Sequence, residues 1–229
     1  MAGDFEFVAD GSVTSPQGFL AGSTYAGLKT YVEGVSDLGI LLSTLPTSVA
    51  ATFSTNKIVS PSVTVSRQRV THGAARGVVA NSGCANCAVG EQGITDAEEM
   101  ARLAAEHIGV EANEMLVAST GVIGVELPMA LIRQGIPKVE LSSEGGDALA
   151  RAIMTTDSRP KHAAVAFESG GIKYHIGGVA KGVGMIHPNM ATMLCFLTTD
   201  APIIHGFPQT ALAHAVDVSF NLIDIDGDQ

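Results

Sequence analysis

The 229-residue chain reads as a mixed α/β domain, and three observations predict that class. Short apolar runs bounded by Gly, Pro and Ser recur along the first part, as strands require. A stripe of buried-type residues at three-and-four spacing follows Thr95, as an amphipathic helix requires. Strand-like and helix-like segments then alternate to the end of the sequence. At about 150 residues per domain, the length fits one large domain or two small ones, and with no linker dividing the sequence residues 1–229 are read as one α/β domain.

In chain order, Leu38 to Leu42, Ser48 to Phe53, Ser62 to Val65 and Gly77 to Ala80 read as strands. A helix is predicted from Thr95, where Glu98 completes a capping box and Asp96 and Glu99 place negative charge at the positive end of the macrodipole. Such a cap contributes about 1 kcal/mol. Ala97, Met100, Ala101, Ala104 and Ile108 form its buried stripe, and Gly109 supplies the stop. Met115 to Ala118 reads as a short buried strand. A brief helix opens at Pro128 and stops at Gly135, and Asp147 to Met154 is another. His162 to Phe167 and Ile172 to Val179 flank Ser169-Gly170-Gly171, the spacing of a β-hairpin with a glycine turn. Thr192 to Thr198 reads as a strand, and Pro208 to about Asn221 as a helix.

Composition excludes several function classes. Thirteen Lys and Arg stand against 23 Asp and Glu, a net charge of −10 that opposes binding to nucleic acid or to an anionic membrane surface. The uncharged stretches Leu38 to Asn56 and Gly182 to Thr199 are interrupted by Pro46 and by His187-Pro188-Asn189, so neither is expected to span a bilayer. Three cysteines, Cys84, Cys87 and Cys195, form no disulfide framework, and the acidic start Met1 to Glu6 lacks the basic region of a secretory signal. The cytoplasm is the expected location. No metal site is expected either. Cys84 and Cys87 have no second pair, the seven histidines contain no H-E-x-x-H, and Gly227 is misplaced for a calcium loop at Asp224, Asp226 and Asp228.

The most unusual segment is Lys181-Gly182-Val183-Gly184-Met185-Ile186-His187-Pro188-Asn189-Met190-Ala191-Thr192-Met193-Leu194. It can be a loop before a strand, with His187 a loop residue. It can also be the place where Thr192 becomes a new N-terminus. A Thr hydroxyl needs an adjacent base, and an N-terminal Thr carries one as its own α-amine, whose ordinary pKa is about 7.7–8.0. Reaching that state requires Thr192 to attack its own preceding carbonyl at the Ala191–Thr192 bond. Ser119-Thr120-Gly121 can be a plain turn, or a Thr hydroxyl and a Gly N–H presented to one oxyanion. Lys181 can be a solvated surface charge or the holder of a substrate carboxylate. Thr155 and Thr156 end a predicted helix and can merely satisfy its carbonyls.

These residues resemble a known family. The Lys181 to Leu194 segment is similar to the self-cleavage motif of the ornithine acetyltransferases, also called glutamate N-acetyltransferases. Asn81-Ser82-Gly83-Cys84-Ala85-Asn86, Ala118 to Gly124, Ala152-Ile153-Met154-Thr155-Thr156-Asp157, and Ser219-Phe220-Asn221 with Asp226-Gly227-Asp228 match in family order. The resemblance implies an αββα layered sandwich with mixed β-sheets, of the N-terminal-nucleophile type. It implies cleavage into an α chain of residues 1–191 and a β chain beginning at Thr192, and an assembly of two α and two β chains. It makes Thr192 the nucleophile, Thr120 and Gly121 the oxyanion hole, and Thr155, Lys181 and Thr192 the substrate contacts.

The implied activity belongs to arginine biosynthesis. Acetyl passes from N-acetylornithine to L-glutamate through an acetyl-Thr192 intermediate with no cofactor, and acetyl-coenzyme A serves some members as a co-substrate. A self-processing aminopeptidase or amidase of related fold, and a ligand-binding fragment without turnover, are the alternatives. The family's second chain continues past Gln229, so the sequence is expected to be part of a longer protein.

Overall fold

The computed structural model describes residues 5–187, 192–204 and 206–227. Among these, eight strands run in chain order: β1 (Phe5–Phe7), β2 (Phe19–Thr24), β3 (Leu38–Ser48), β4 (Ala74–Cys84), β5 (Met115–Val122), β6 (Lys161–Ser169), β7 (Ile172–Lys181) and β8 (Leu194–Thr199). One sheet has the order β2-β3-β4-β5, antiparallel except for the parallel pair β4–β5. The other has the order β1-β6-β7-β8 and is antiparallel throughout. Five helices accompany them: α1 (Pro61–Val70), α2 (Gln92–Ile108), α3 (Met129–Gly135), α4 (Gly146–Ala152) and α5 (Phe207–Asp217). No helix among the described residues is long and apolar enough to cross a membrane.

The period-two alternation of a strand explains how the first sheet serves two cores. Leu38, Ile40, Val79, Met115 and Val117 point to one face, where Val65 of α1, Ala97, Met100, Ala101 and Ala104 of α2 and Ile132 of α3 cover them. Their neighbours Leu41, Val78, Ala80 and Ala118 point to the opposite face and meet Val179, Leu194 and Phe196 of the second sheet. Leu149, Ala150 and Ile153, from α4 and its end, join this inter-sheet core. Each fully buried side chain of Leu, Ile or Met size contributes about 1.5–3 kcal/mol, so the two faces together hold the layers. The second sheet's outer face differs, leaving Phe5, Phe7, Ile176 and Leu197 exposed.

Several sequence expectations hold with extended ends. The Gly170-Gly171 hairpin joins β6 to β7, and Ser169 pairs with Ile172. Gly109 caps α2 in the left-handed region at φ 76°, its N–H reaching the Ala105 carbonyl. The strand expected from Thr192 begins at Leu194.

Three expectations are corrected. Ser62 to Val65 is not a strand but the start of α1, with Pro61 in the first turn. Packing decides this against β-branched propensity: Val65 is buried, and Ser66 Oγ donates to the Val117 carbonyl at 2.7 Å and accepts the Val117 N–H at 2.8 Å. Residues 49–53 form no strand after β3 ends at Ser48, because the Ala51 N–H and carbonyl are taken by the Gln209 side chain of α5 at 3.2 and 3.1 Å. The second long helix starts at Gln92, so Thr95 lies inside its first turn and caps nothing. Gly93 allows the early start, since a Cβ there would lie 2.6–2.7 Å from Val89, Asn86 and Pro61. Strands β1 and β2 were not legible in the sequence.

Candidate functional site

Two of the quoted motifs lie side by side at the C-terminal ends of the parallel pair. Asn81 pairs with Ser119, Ser82 with Thr120 and Gly83 with Gly121. The backbones then approach so closely that a Cβ on Gly121 would sit 2.3 Å from the Gly83 carbonyl carbon, and Gly121 holds φ 137°. Only glycine satisfies both conditions. Behind this platform, Ser82 Oγ donates to the Ala152 carbonyl at 2.6 Å, tying α4 to the strand ends. Ser119 Oγ shares a 2.8 Å hydrogen bond with Ser62 Oγ, which also accepts from Asn86 Nδ2 at 3.2 Å.

Thr120 is buried, and its Oγ1 accepts a hydrogen bond from Lys181 Nζ at 3.1 Å. Lys181 ends β7, opposite Leu194, and is only 4% exposed, so the reading as a solvated surface charge does not hold. Burial pushes its ammonium below the usual lysine range; Asp157 opposes that shift and Lys161 adds to it. The arrangement has a chemical consequence. With a lone pair of the Thr120 oxygen occupied by an ammonium, the hydroxyl proton is free to point elsewhere, and polarisation strengthens it as a donor. An ammonium has three protons, so Lys181 can serve Thr120 and a carboxylate together.

The opposite side of the site is the segment from Gly182 to His187 and Thr192. Gly182 N–H donates to Asp157 Oδ1 at 2.9 Å, and Met185 N–H to Asp226 Oδ2 at 3.0 Å. Ile186 exchanges backbone bonds with Ile225 at 3.0 and 2.7 Å, so the chain after α5 pairs with this segment. His187 Nδ1 lies 3.4 Å from Asp224 Oδ1. Thr192 is exposed and holds a left-handed φ of 54°, uncommon for a β-branched residue. Ala191 and residues 188–190 lie outside the described residues, as does Asp228.

Thr192, Thr120 and Ser119 line one cavity of about 440 Å³, walled further by apolar residues of both sheets including Leu116, Ala118, Leu194 and Phe196. Lys181, Thr155 and Gly121 are not on its wall. Thr155 is half-buried on the turn after α4, and its N–H donates to Asp157 Oδ2 at 3.3 Å. Asp157 thus links Thr155 to the root of the Thr192 segment, a role the sequence reading missed, although Asp157 closes the Thr155-Thr156-Asp157 motif. Cys84 is buried with its thiol on the Val125 carbonyl at 3.0 Å, and burial pushes it up. Burial likewise pushes Cys195 up to about 11, so these two are held as thiols.

The comparisons with known proteins agree on one family. A model described as the ArgJ family matches residues 20–229. The chain belongs to the ArgJ family. The arginine biosynthesis bifunctional protein ArgJ of Dehalococcoides mccartyi is 46% identical over 228 residues, covering all of this ArgJ-family chain but 56% of that protein. The chain spans about half the length of the curated relatives it matches.

Among solved structures, the arginine biosynthesis bifunctional protein ArgJ of Bacillus halodurans matches with a TM-score of 0.78 at 36% identity, over 83% of this chain and 100% of that one. The ornithine acetyltransferase of Mycobacterium tuberculosis, solved with ornithine, matches at 0.74 and 34% identity, over 82% and 100%. An L-aminopeptidase D-Ala-esterase/amidase of Ochrobactrum anthropi, a variant of the Ntn hydrolase fold, matches at 0.50 and 15% identity over 93% and 69%, and shows the fold alone. The two stacked sheets of this ArgJ-family chain are therefore an α/β sandwich of that type.

Proposed function

We propose that this chain carries the nucleophile and the oxyanion hole of a self-cleaving ornithine acetyltransferase acting in arginine biosynthesis. The observation that carries the reading is the shared cavity: Thr192 and Thr120 line it together, and Thr120 holds the Lys181 ammonium.

Self-cleavage begins when the Thr192 hydroxyl adds to the Ala191 carbonyl. The peptide C–N bond breaks as the ester forms, and water then hydrolyses the ester, leaving a carboxylate on Ala191 and a free amine on Thr192. The match supports this, since the two solved ArgJ-type chains are covered completely by 82–83% of this chain, about the length of residues 1–191.

In the transfer reaction the Thr192 amine takes the hydroxyl proton as the oxygen attacks the acetyl carbonyl of N-acetylornithine. The Thr120 hydroxyl and Gly121 N–H receive the oxyanion. The amine returns its proton to the departing ornithine nitrogen, and an acetyl ester remains on Thr192. L-glutamate's amine then attacks that ester, giving N-acetylglutamate and restoring the hydroxyl. Lys181 and Thr155 hold the donor. The sequence needs no cofactor, and acetyl-coenzyme A would enter as an alternative donor. The working unit is two α and two β chains in the cytoplasm.

N-terminal sequencing of the full-length protein should find a second chain beginning at Thr192, and Thr192→Ala should remain whole and transfer no acetyl group. An active preparation made of one unbroken chain would refute the reading.

A further inference from the structure

We propose that Asp157 is a positioning residue that couples the substrate lysine to the self-cleavage segment. The inference rests on the reading of Thr192 and Lys181 above. It starts from a carboxylate whose side chain is wholly removed from solvent between the turn after α4 and the end of β7. One oxygen, Oδ1, accepts the Gly182 N–H and also pairs with Lys161 Nζ; the other, Oδ2, accepts the Thr155 N–H. Gly182 is the first residue after Lys181, so the same carboxylate holds the root of the segment leading to Thr192 and the substrate-contacting Thr155. Lys29 completes the frame, donating from Nζ to the Met154 carbonyl at 2.9 Å and the Ser36 carbonyl at 3.1 Å.

The electrostatics point the same way. Five charges meet here: Asp157 on the turn, Lys161 on β6, Lys181 on β7, and Lys29 with the buried Asp37 before β3. Lys181 faces the uncharged hydroxyl of Thr120. Burial would push the Asp157 carboxyl up, but the bonds from Lys161, Gly182 and Thr155 outweigh it and hold the group below its ordinary 3.8. These bonds favour the carboxylate over the neutral acid. Asp157 favours the Lys181 ammonium and Lys161 disfavours it, so removing either charge displaces Lys181 titration, in opposite directions.

That sign reversal provides the test, made on the full-length protein. Asp157→Asn keeps the size and an acceptor oxygen but removes the charge. Self-cleavage, followed by denaturing gel after a pulse of synthesis, should slow about tenfold or more, as expected when a charged hydrogen bond to Gly182 becomes a neutral one. The alkaline limb of kcat/KM for N-acetylornithine should move to lower pH. Lys161→Met alters a half-exposed side chain and leaves both backbone bonds to Asp157 in place. It should move the same limb to higher pH.

A purely structural Asp157 would shift stability in both variants without displacing the limb in opposite directions. Wild-type cleavage and unmoved limbs in the folded Lys161→Met and Asp157→Asn proteins would overturn the proposal while leaving the assignment of Thr192 intact. Should Asp157→Asn not fold, Asp157→Glu, which keeps the charge but displaces both carboxylate oxygens, takes its place, and wild-type cleavage in that variant overturns the proposal. Failure of the wild type to cleave before Thr192 would instead strike the underlying reading.

Discussion

The two sides of the cavity are built on different principles. The Thr120 side is backbone against backbone: two parallel strand ends closed to van der Waals contact at Gly83 and Gly121, with Asn81 and Ser82 at 0% exposure behind them. The Thr192 side is a segment held at points, by Asp157 at Gly182, by Asp226 at Met185 and by the Ile186–Ile225 bridge, with Thr192 exposed. The contrast matches the chemistry proposed for each. Oxyanion donors gain most when they need no reorganisation, so they belong on packed strands. A bond that must break, and an N-terminus that must then move, belong on a segment that a few hydrogen bonds hold and can release.

The largest effect should come from damaging the rigid side. Gly121→Ala would set a Cβ against the Gly83 carbonyl and force a non-glycine residue to φ 137°. Overpacking of about 1–3 kcal/mol and backbone strain of similar size should together lower the melting temperature clearly and abolish turnover. A variant that melts and turns over like wild type would show that the platform tolerates loosening.

Thr120→Val tests the donor without disturbing the backbone. It should lower kcat about a hundred- to a thousandfold, equivalent to about 2.7–4 kcal/mol, while KM changes little. A change confined to KM would move Thr120 from the oxyanion to ground-state binding.

Lys181→Met stands where the two sides meet. Loss of a carboxylate contact worth about 1.5–3 kcal/mol should raise KM for N-acetylornithine about tenfold or more. Loss of the bond to Thr120 should add a severalfold fall in kcat. Steady-state kinetics separate the two, and an unchanged kcat would make the 3.1 Å contact with Thr120 idle in the reaction.

The smallest effect is expected on the held segment. Asp226→Ala removes the acceptor of the Met185 N–H but leaves the Ile186–Ile225 backbone bonds. One exposed hydrogen bond of about 0.5–1.5 kcal/mol should slow self-cleavage only severalfold, read as precursor remaining on a gel over time. Wild-type kinetics would place the hold on this segment wholly with Asp157 and the backbone bridge.

Much of this was legible in the residues. The α2 stripe, its Gly109 stop, the Gly170-Gly171 hairpin and the Lys181 to Leu194 segment all announce themselves within a few positions. What misled was also local: Val63, Thr64 and Val65 look like strand, and Thr95 with Glu98 looks like a cap. Val65 is helical because Pro61 opens a turn and β5 offers Ser66 both a carbonyl and an N–H. Thr95 is inside a helix because Gly93 fits between Val89 and Pro61. Asp157 went unassigned because an Asp after two threonines carries no signal of the three groups that converge on it.

The sequence by itself therefore determined the class of fold, the buried stripe and stop of the long helix, the glycine hairpin, and the residue types able to do acyl chemistry. Tertiary structure alone decided that Lys181 reaches Thr120 across 61 residues, that Gly83 lies on Gly121, and that one buried carboxylate serves Thr155, Gly182 and Lys161. The reason is range. Periodicity, caps and turns arise from forces between residues at most a few positions apart, which a short window of sequence contains. The site arises from the register of strands distant in the chain and from where two sheets bring their ends together.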